Sequence, residues 1–239
     1  MSDETPDMVL ISGGSFLMGS ATGQEDESPP HHVQISPFQI SKYAVSNRCY
    51  ALFIAATGTA PPPFWDMPSF DDPDQPAVGV NWFEAMAYCK WLADRLGMAF
   101  RLPTEAEREF ACRAGTSTAY PWGDLPDDAA RLSSGYGRRW ETGPEVVGGP
   151  PNGFGLCNMA DNVHEWCSDW YGKEYYRTSE LLDPRGPESG KRRASRGGSW
   201  RHKVKVTRCS ARSALDPVFR YADYGFRIAA DPRCAGCPK

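Results

Sequence analysis

The spacing of apolar and polar residues predicts short strands near the N-terminus. The segment MVLISGGSFLMGS is predicted to form two strands around Gly13 and Gly14, a pair that permits the positive φ angles of a tight hairpin turn. Alternation of apolar and polar residues in HHVQISPFQISKYAVS predicts further strand. The beginning of the chain is therefore expected to contribute to a β-sheet.

Three helices are predicted from capping residues at their ends. A Ser, Asn or Thr side chain accepts a hydrogen bond from a free N–H group of the first turn, and glycine tolerates the left-handed conformation after the last turn. A glutamate three residues after Asn81, and again after Thr104, completes a capping box. The predicted bounds are Ser46 or Asn47 to Gly58, Asn81 to about Leu96 with Gly97 as the stop, and Thr104 to Gly115.

Few sequence patterns typical of helices or strands occur between Tyr120 and Asp231. That part is rich in Gly, Pro, Asn, Asp and Arg, yet it also carries many Trp and Tyr residues, in which disordered segments are poor. We therefore predict an ordered but irregular backbone and an α+β fold class. The 239 residues are expected to form one domain, with a core at about 8–231 and a tail at 232–239 that contains Cys234-Ala-Gly-Cys237. Residues 61–76 are predicted to be a surface loop.

Charge and composition narrow the set of partners. The net charge is −4 with both signs interspersed, so the chain lacks the basic field that binds nucleic acid. It shows neither a signal peptide nor a run of about 18 apolar residues, so no membrane association is expected. The eight cysteines are scattered, which favours reduced thiols. We expect a cytoplasmic monomer.

Six segments resemble, in their order and approximate spacing, the formylglycine-generating enzyme or sulfatase-modifying factor family. They extend from Met8 to Asp231 and read GGSFLMGS, PAVGVNWFEAMAYCKWL, RLPTEAEREFACRAG, PNGFGLCNMADNVHEWCSDWY, SRGGSW and YGFRIAAD. The resemblance implies a variant C-type-lectin-like fold with little regular secondary structure, which agrees with the α+β prediction.

The resemblance also implies a copper ion held by two cysteines a few residues after the GGSW-like motif, where the family's enzymes oxidise a peptide cysteine with oxygen. Here the interval 201–207 contains no cysteine. Because two soft thiolates are what hold Cu(I), this chain is predicted to lack that copper site. Cys209 matches a structural cysteine of the family that pairs with Cys112, and a role as nucleophile or ligand is the alternative. Cys89 is predicted to be a buried thiol.

A calcium site is predicted in CNMADNVHEW. Oxygen donors recur there at Asn158, Asp161, Asn162 and Glu165, and calcium takes six to eight such oxygens. Asn and Asp are also ordinary turn formers, so composition alone leaves both interpretations open. The resemblance implies one structural Ca²⁺ held by the side chains of Asn158 and Glu165 and by the backbone oxygens of Asp161 and Val163.

The candidate catalytic residues are those that the resemblance places in or near the cleft, namely His164, Ser199, His202 and Asp223. Two imidazoles and a carboxylate are a ligand set for a redox metal, copper or iron, with positions free for oxygen. A polar pocket without metal is the alternative, as are unrelated surface positions. Ser199 has no obvious base beside it, so a loop-fixing hydrogen bond is the competing role.

Two classes of function follow. The first is a diverged oxygen-dependent oxidoreductase or tailoring enzyme that acts on a peptide or a small molecule. The second is a non-catalytic, lectin-like binding module or pseudoenzyme. If residues 201–207 are extended, Arg201, Lys203 and Lys205 share one side, which is either a solvated face or a cleft wall that favours an anionic ligand.

Overall fold

The computed structural model describes residues 5–125 and 139–232, so the predicted behaviour of Cys234 and Cys237 lies outside the described residues. Three α-helices and ten short strands form in these ranges. The helices are α1 (Asn47–Thr57), α2 (Trp82–Leu96) and α3 (Glu105–Arg113). The strands are β1 (Met8–Ile11), β2 (Gly14–Met18), β3 (His31–Ile35), β4 (Phe38–Ser41), β5 (Phe100–Arg101), β6 (His164–Trp170), β7 (Arg193–Arg196), β8 (Ser213–Leu215), β9 (Tyr224–Gly225) and β10 (Ala229–Ala230).

The predicted helix caps are confirmed. The side chain of Ser46 accepts a hydrogen bond from the backbone N of Cys49, and complete capping boxes open α2 and α3. Gly58 and Gly97 adopt the left-handed conformation after α1 and α2. The end of α3 differs, because Ala114 takes the left-handed position at φ 48°, one residue before the predicted Gly115.

The two N-terminal strands are confirmed, but the predicted hairpin between them is wrong. Strand β1 pairs antiparallel with β4, whereas β2 pairs antiparallel with β3. Gly13, between β1 and β2, lies where the chain crosses from one sheet to another. At Gly13 (φ 75°), a Cβ atom would lie 2.3 Å from the backbone oxygen of Ile35, so no other residue fits there without a shift of the chain.

Two four-stranded sheets contain eight of the ten strands that the described ranges form. One has the strand order β1-β4-β10-β5, and the other has the order β8-β7-β6-β9. In the second sheet β6 and β9 run parallel, with His164 opposite Tyr224. This pairing brings together two segments that are 60 residues apart in the chain, and it sets the position of the candidate site.

The core is largely aromatic where α1 and α2 pack against the sheets. Tyr50, Tyr88 and Phe226 are buried and their rings contact one another. The predicted loop at residues 61–76 forms no helix or strand, but it contributes the buried Phe70 to a second cluster that includes Trp200. The loop therefore packs on the segment that carries the candidate site.

Charged residues are buried together in two ion-pair networks. Glu105 on α3 accepts hydrogen bonds from Arg196 and Arg212, at 3.0 and 2.7 Å for the two Nε atoms. Glu165 on β6 is bound in the same manner by Arg108 and Arg227. All six side chains are at most 2% exposed. These ion pairs join α3 to the irregular C-terminal half of the chain.

The cysteine predictions agree with the structure. The Sγ atoms of Cys112 and Cys209 lie 3.3 Å apart in the core, and both residues are thiols. Cys89 is 1% exposed in the core. In the described ranges, none of the helices combines the length and the apolar character that crossing a membrane requires.

Candidate metal centre in the cleft

His164 is held rigidly at the first position of β6. Its backbone N donates a hydrogen bond to the backbone O of Asp223 at 2.9 Å, and its ring stacks on Tyr224 with ring centroids 4.8 Å apart. The side chain is buried, and its Nδ1 atom has no hydrogen-bond partner among the described residues. A buried ring nitrogen without a partner is unusual in native proteins and marks the position as functionally interesting.

His202 reaches the same place from the irregular segment that follows β7. Its backbone N donates to the O of Ser199 at 3.0 Å, which closes a tight turn. Residues 204–206 form a single 3₁₀ turn, so the extended conformation considered for residues 201–207 is wrong. Local hydrogen bonds decide this, because Thr207 bonds back to Val204 through both its backbone N and its hydroxyl. Lys203 and Lys205 are exposed to solvent.

The glycine pair before this turn lets the chain pack closely against the loop predicted to bind calcium, since a Cβ at Gly198 would lie 2.9 Å from the backbone O of Ala160. Gly197 has φ 85°, and a Cβ at Gly198 would lie 2.1 Å from the Cγ2 atom of Thr207. A side chain at either position would displace the turn. The GGSW motif thus fixes where Ser199 and His202 lie.

The four predicted catalytic residues come together. The Nε2 atom of His164 and the Nδ1 atom of His202 are 3.0 Å apart. His202 Nε2 lies 3.9 Å from Asp223 Oδ2. One ligand atom from each of these three residues lies within 4.8 Å of the other two, and no other His, Cys, Asp or Glu group in the described ranges meets this criterion.

Asp223 is oriented by two further contacts. Ser199 Oγ donates to Asp223 Oδ2 at 2.9 Å, and Arg201 Nη1 lies 3.1 Å from Asp223 Oδ1. Ser199 Oγ also accepts a hydrogen bond from the backbone N of Arg201 at 3.3 Å, as the loop-fixing alternative expects, and a catalytic role of Ser199 stays a prediction. The sequence predicted Arg201 to lie on a solvated face or on a cleft wall, and it did not indicate Tyr224 as a site residue. The short segment YADYGF, which places Tyr224 directly after Asp223, is the signal that could have identified it.

The two imidazoles are neutral at ordinary pH. Burial, together with the neighbouring His202, lowers the pKa of His164 to about 4. Burial also lowers the pKa of His202, which is partly exposed. Neutral imidazole is the form that binds a metal ion. The geometry and the protonation state therefore both suit a metal centre.

The low pKa of His164 predicts a pH-dependent stability. An unfolded histidine binds its proton near pH 6.5, whereas His164 in the folded state does so only near 4. The unfolded state binds more protons in between, so stability is present above pH 6.5 and falls as the pH drops toward 4, by about 3 kcal/mol for this residue. Urea unfolding of the wild type and of His164→Gln across this range measures the effect. If the free energy of unfolding changed with pH to the same extent in both proteins, the prediction would be contradicted.

The predicted calcium ligands fit only in part. Asn158 Oδ1 accepts from the backbone N of Gly148, and the amide of Asn158 contacts the buried carboxylate of Asp161. Glu165 does not fit as a calcium ligand, because both of its oxygens are bound by arginines. The backbone oxygen of Asp161 accepts from Val163 N within the loop. Calcium binding by this loop stays a prediction.

The cysteine-bound copper of the resembled family does not fit this cleft. Residues 196–208 contain no cysteine, and Cys209 points into the core against Cys112. The soft thiolate pair that selects Cu(I) is therefore missing from the place where the family carries it.

The short helices, small sheets and long ordered loops form a mixed helix and strand fold, and the cluster of His164, His202 and Asp223 between its C-terminal segments is the candidate centre. A family model, the Sulfatase-modifying factor enzyme 1-like domain, matches residues 1–232. The chain belongs to this family. The predicted family and the C-type-lectin-like fold are thereby confirmed.

Three comparisons illustrate the relationship. The formylglycine-generating enzyme of Thermomonospora curvata is 35% identical, with 94% of this chain and 93% of that protein covered. The hercynine oxygenase of Mycolicibacterium smegmatis is 31% identical over 93% of this chain and 61% of its own length. The structure of PvdO from Pseudomonas aeruginosa superposes with a TM-score of 0.84 at 28% identity and covers 97% of both chains.

Proposed function

We propose that this protein is an oxygen-dependent oxidoreductase whose redox metal is held by His164, His202 and Asp223. The convergence of these three side chains from β6, the turn after β7 and the residue before β9 is the observation that carries the proposal. Relatives named as a formylglycine-generating enzyme and a hercynine oxygenase carry out oxidative chemistry, which supports it.

The donor set fits an iron ion better than copper. Two histidines and one carboxylate, with coordination positions left open, are typical of non-haem Fe(II) oxygenases. His164 Nε2 and His202 Nδ1, which lie 3.0 Å apart, would provide the two nitrogen ligands. A bound iron would supply oxygen activation and electron transfer in the cleft.

The protein's own residues hold this centre and leave one side open. Ser199 and Arg201 orient the Asp223 carboxylate, and Tyr224 supports the His164 ring. The His202 side chain is 39% exposed, so a substrate can approach from that side. Arg201, Lys203 and Lys205 are exposed in the same segment as His202, and this local positive charge favours a substrate, peptide or small molecule, that carries an anionic group.

The decisive test is elemental analysis of protein purified with and without oxygen, for the wild type, His202→Ala and His32→Ala. His32 is an exposed residue of β3 and serves as the matched control. We expect about one iron per chain in the wild type and the control, and its loss in His202→Ala. Oxygen consumption should follow the iron content.

The opposite result would redirect the search. A wild-type protein that binds no transition metal under either condition, or a metal content that His202→Ala leaves unchanged, would contradict the proposal. It would favour the non-catalytic binding module, for which the same cleft is a ligand pocket.

A further inference from the structure

The loop predicted to bind calcium surrounds two buried arginines. Arg108 Nε donates to Glu165 Oε2 at 2.7 Å. Arg227 donates to both oxygens of the same carboxylate, at 2.6 Å from Nε and 2.8 Å from Nη2. The three side chains are at most 1% exposed. Both oxygens of Glu165 thus accept hydrogen bonds from charged donors, one on α3 and one in the segment between β9 and β10.

The same guanidinium groups bind backbone oxygens of the loop. Arg108 Nη2 donates to Met159 O at 2.9 Å, and Arg227 Nη2 donates to Cys157 O at 2.9 Å. A carboxylate together with main-chain carbonyls is the kind of oxygen set that calcium gathers in a loop. In this chain, arginine side chains bind these oxygens instead.

The space beside Val163 O, a predicted calcium ligand, is also occupied. A Cβ at Gly197 would lie 3.3 Å from Val163 O and 3.4 Å from Arg108 Nη2. The guanidinium of Arg108, the backbone of Gly197 and the carbonyl of Val163 therefore meet in one place. An additional divalent cation at Glu165 would lie against two positive charges in a buried region, where like charges repel strongly.

We infer that Arg108 is a built-in cation that replaces calcium in this chain, so that the loop at residues 157–165 folds without the metal ion. Because Glu165 directly follows His164, the same contacts position the start of β6 and the imidazole in the cleft. Arg108 is thus a positioning residue. The inference rests on the contacts of Glu165 and not on the proposed oxidase function.

The first arm of the test uses the wild-type protein. After dialysis against EGTA it is expected to contain no calcium, and its Tm is expected to be the same in EGTA as in millimolar CaCl₂. Retained calcium, or a Tm that falls in EGTA, would overturn the inference. Neither measurement depends on iron or on turnover, so the outcome is independent of the proposed function.

The second arm compares Arg108→Ala with Arg177→Ala. Removal of one partner of a buried ion pair is expected to lower the Tm by roughly 6–20 °C. Arg177 pairs with Glu174 at the surface, where its side chain is 64% exposed, and its loss should change the Tm by less than about 2 °C. Millimolar calcium should restore part of the Tm of Arg108→Ala and leave the wild type unchanged.

Two results would count against the inference in this arm. One is an Arg108→Ala protein as stable as the surface control. The other is an Arg108→Ala protein that is destabilised but indifferent to calcium, which is what an ordinary packing role would produce. If Arg108→Ala does not yield folded protein, Arg108→Gln also removes the charge but keeps more of the side-chain volume, and it takes the place of Arg108→Ala in the same comparison.

Discussion

Glu105→Gln is expected to lower the Tm by roughly 6–20 °C, because the substitution removes the carboxylate paired with the buried Arg212 and one of the two carboxylates paired with the buried Arg196, which keeps Glu109. Arg212 donates to both oxygens of Glu105, at 2.7 and 2.8 Å, and Arg196 donates to one of them at 3.0 Å. The Glu105 side chain is 2% exposed. Glutamine preserves the shape of the side chain, but it removes the charge and replaces one acceptor oxygen with an N–H donor, so the change tests the ion pair together with its hydrogen bonds.

The pKa of Glu105 gives this prediction a second readout. Burial by itself would raise that pKa, but Arg212 and Arg196 lower it below its ordinary value. The stabilisation is therefore present above the pKa of an unfolded glutamate and is lost as the pH falls through the lower folded value. Wild-type protein should lose stability in acid more steeply than Glu105→Gln.

The matched control is Glu174→Gln, which removes a carboxylate of the same size from an ion pair that is 60% exposed on the glutamate side. Exposed pairs contribute little because water screens them. Thermal unfolding followed by circular dichroism compares the three proteins. A Glu105→Gln protein no less stable than the control would mean that the buried network does not hold α3 to the C-terminal half.

Local signals were enough to predict the helices. Ser46, Asn81 and Thr104 cap them because a side-chain oxygen next to free N–H groups acts over three residues, whatever the rest of the fold does. The hairpin at Gly13 failed for the opposite reason. The partner of β1 is β4, which lies 30 residues later in the chain, so the residues next to β1 do not indicate which strand pairs with it.

In the candidate site, too, some features were predictable from the sequence and others depend on contacts between distant residues. The resemblance singled out His164, Ser199, His202 and Asp223, and the structure brings them together through the parallel pairing of β6 with β9. The arginine contacts of Glu165 were not predictable, because Arg108 lies 57 residues away on α3 and its sequence pattern is that of an ordinary capped helix. Composition indicated that the loop at residues 157–165 is rich in oxygen donors, but it did not indicate which positively charged group binds them.

Asp223→Asn is expected to reduce the affinity for iron by more than about 100-fold, which is beyond the range typical of a partner that only orients a ligand. Asparagine keeps the side-chain shape and an oxygen that can accept the hydrogen bond from Ser199. It removes the only negative charge among the three proposed ligands, because the two imidazoles are neutral. Anaerobic titration with Fe(II) measures the loss.

Ser199→Ala provides the graded comparison, because Ser199 contacts the carboxylate and not the proposed ion. Loss of its hydrogen bond should weaken iron binding by about 10–100-fold and leave the charge of the centre unchanged. Asp94→Asn, at an exposed aspartate of α2 that pairs with Lys90, should change nothing. If Asp223→Asn and Ser199→Ala lose the same affinity, Asp223 orients the cleft without binding the metal. If only Asp223→Asn loses it, the carboxylate is a ligand and Ser199 is dispensable to the centre.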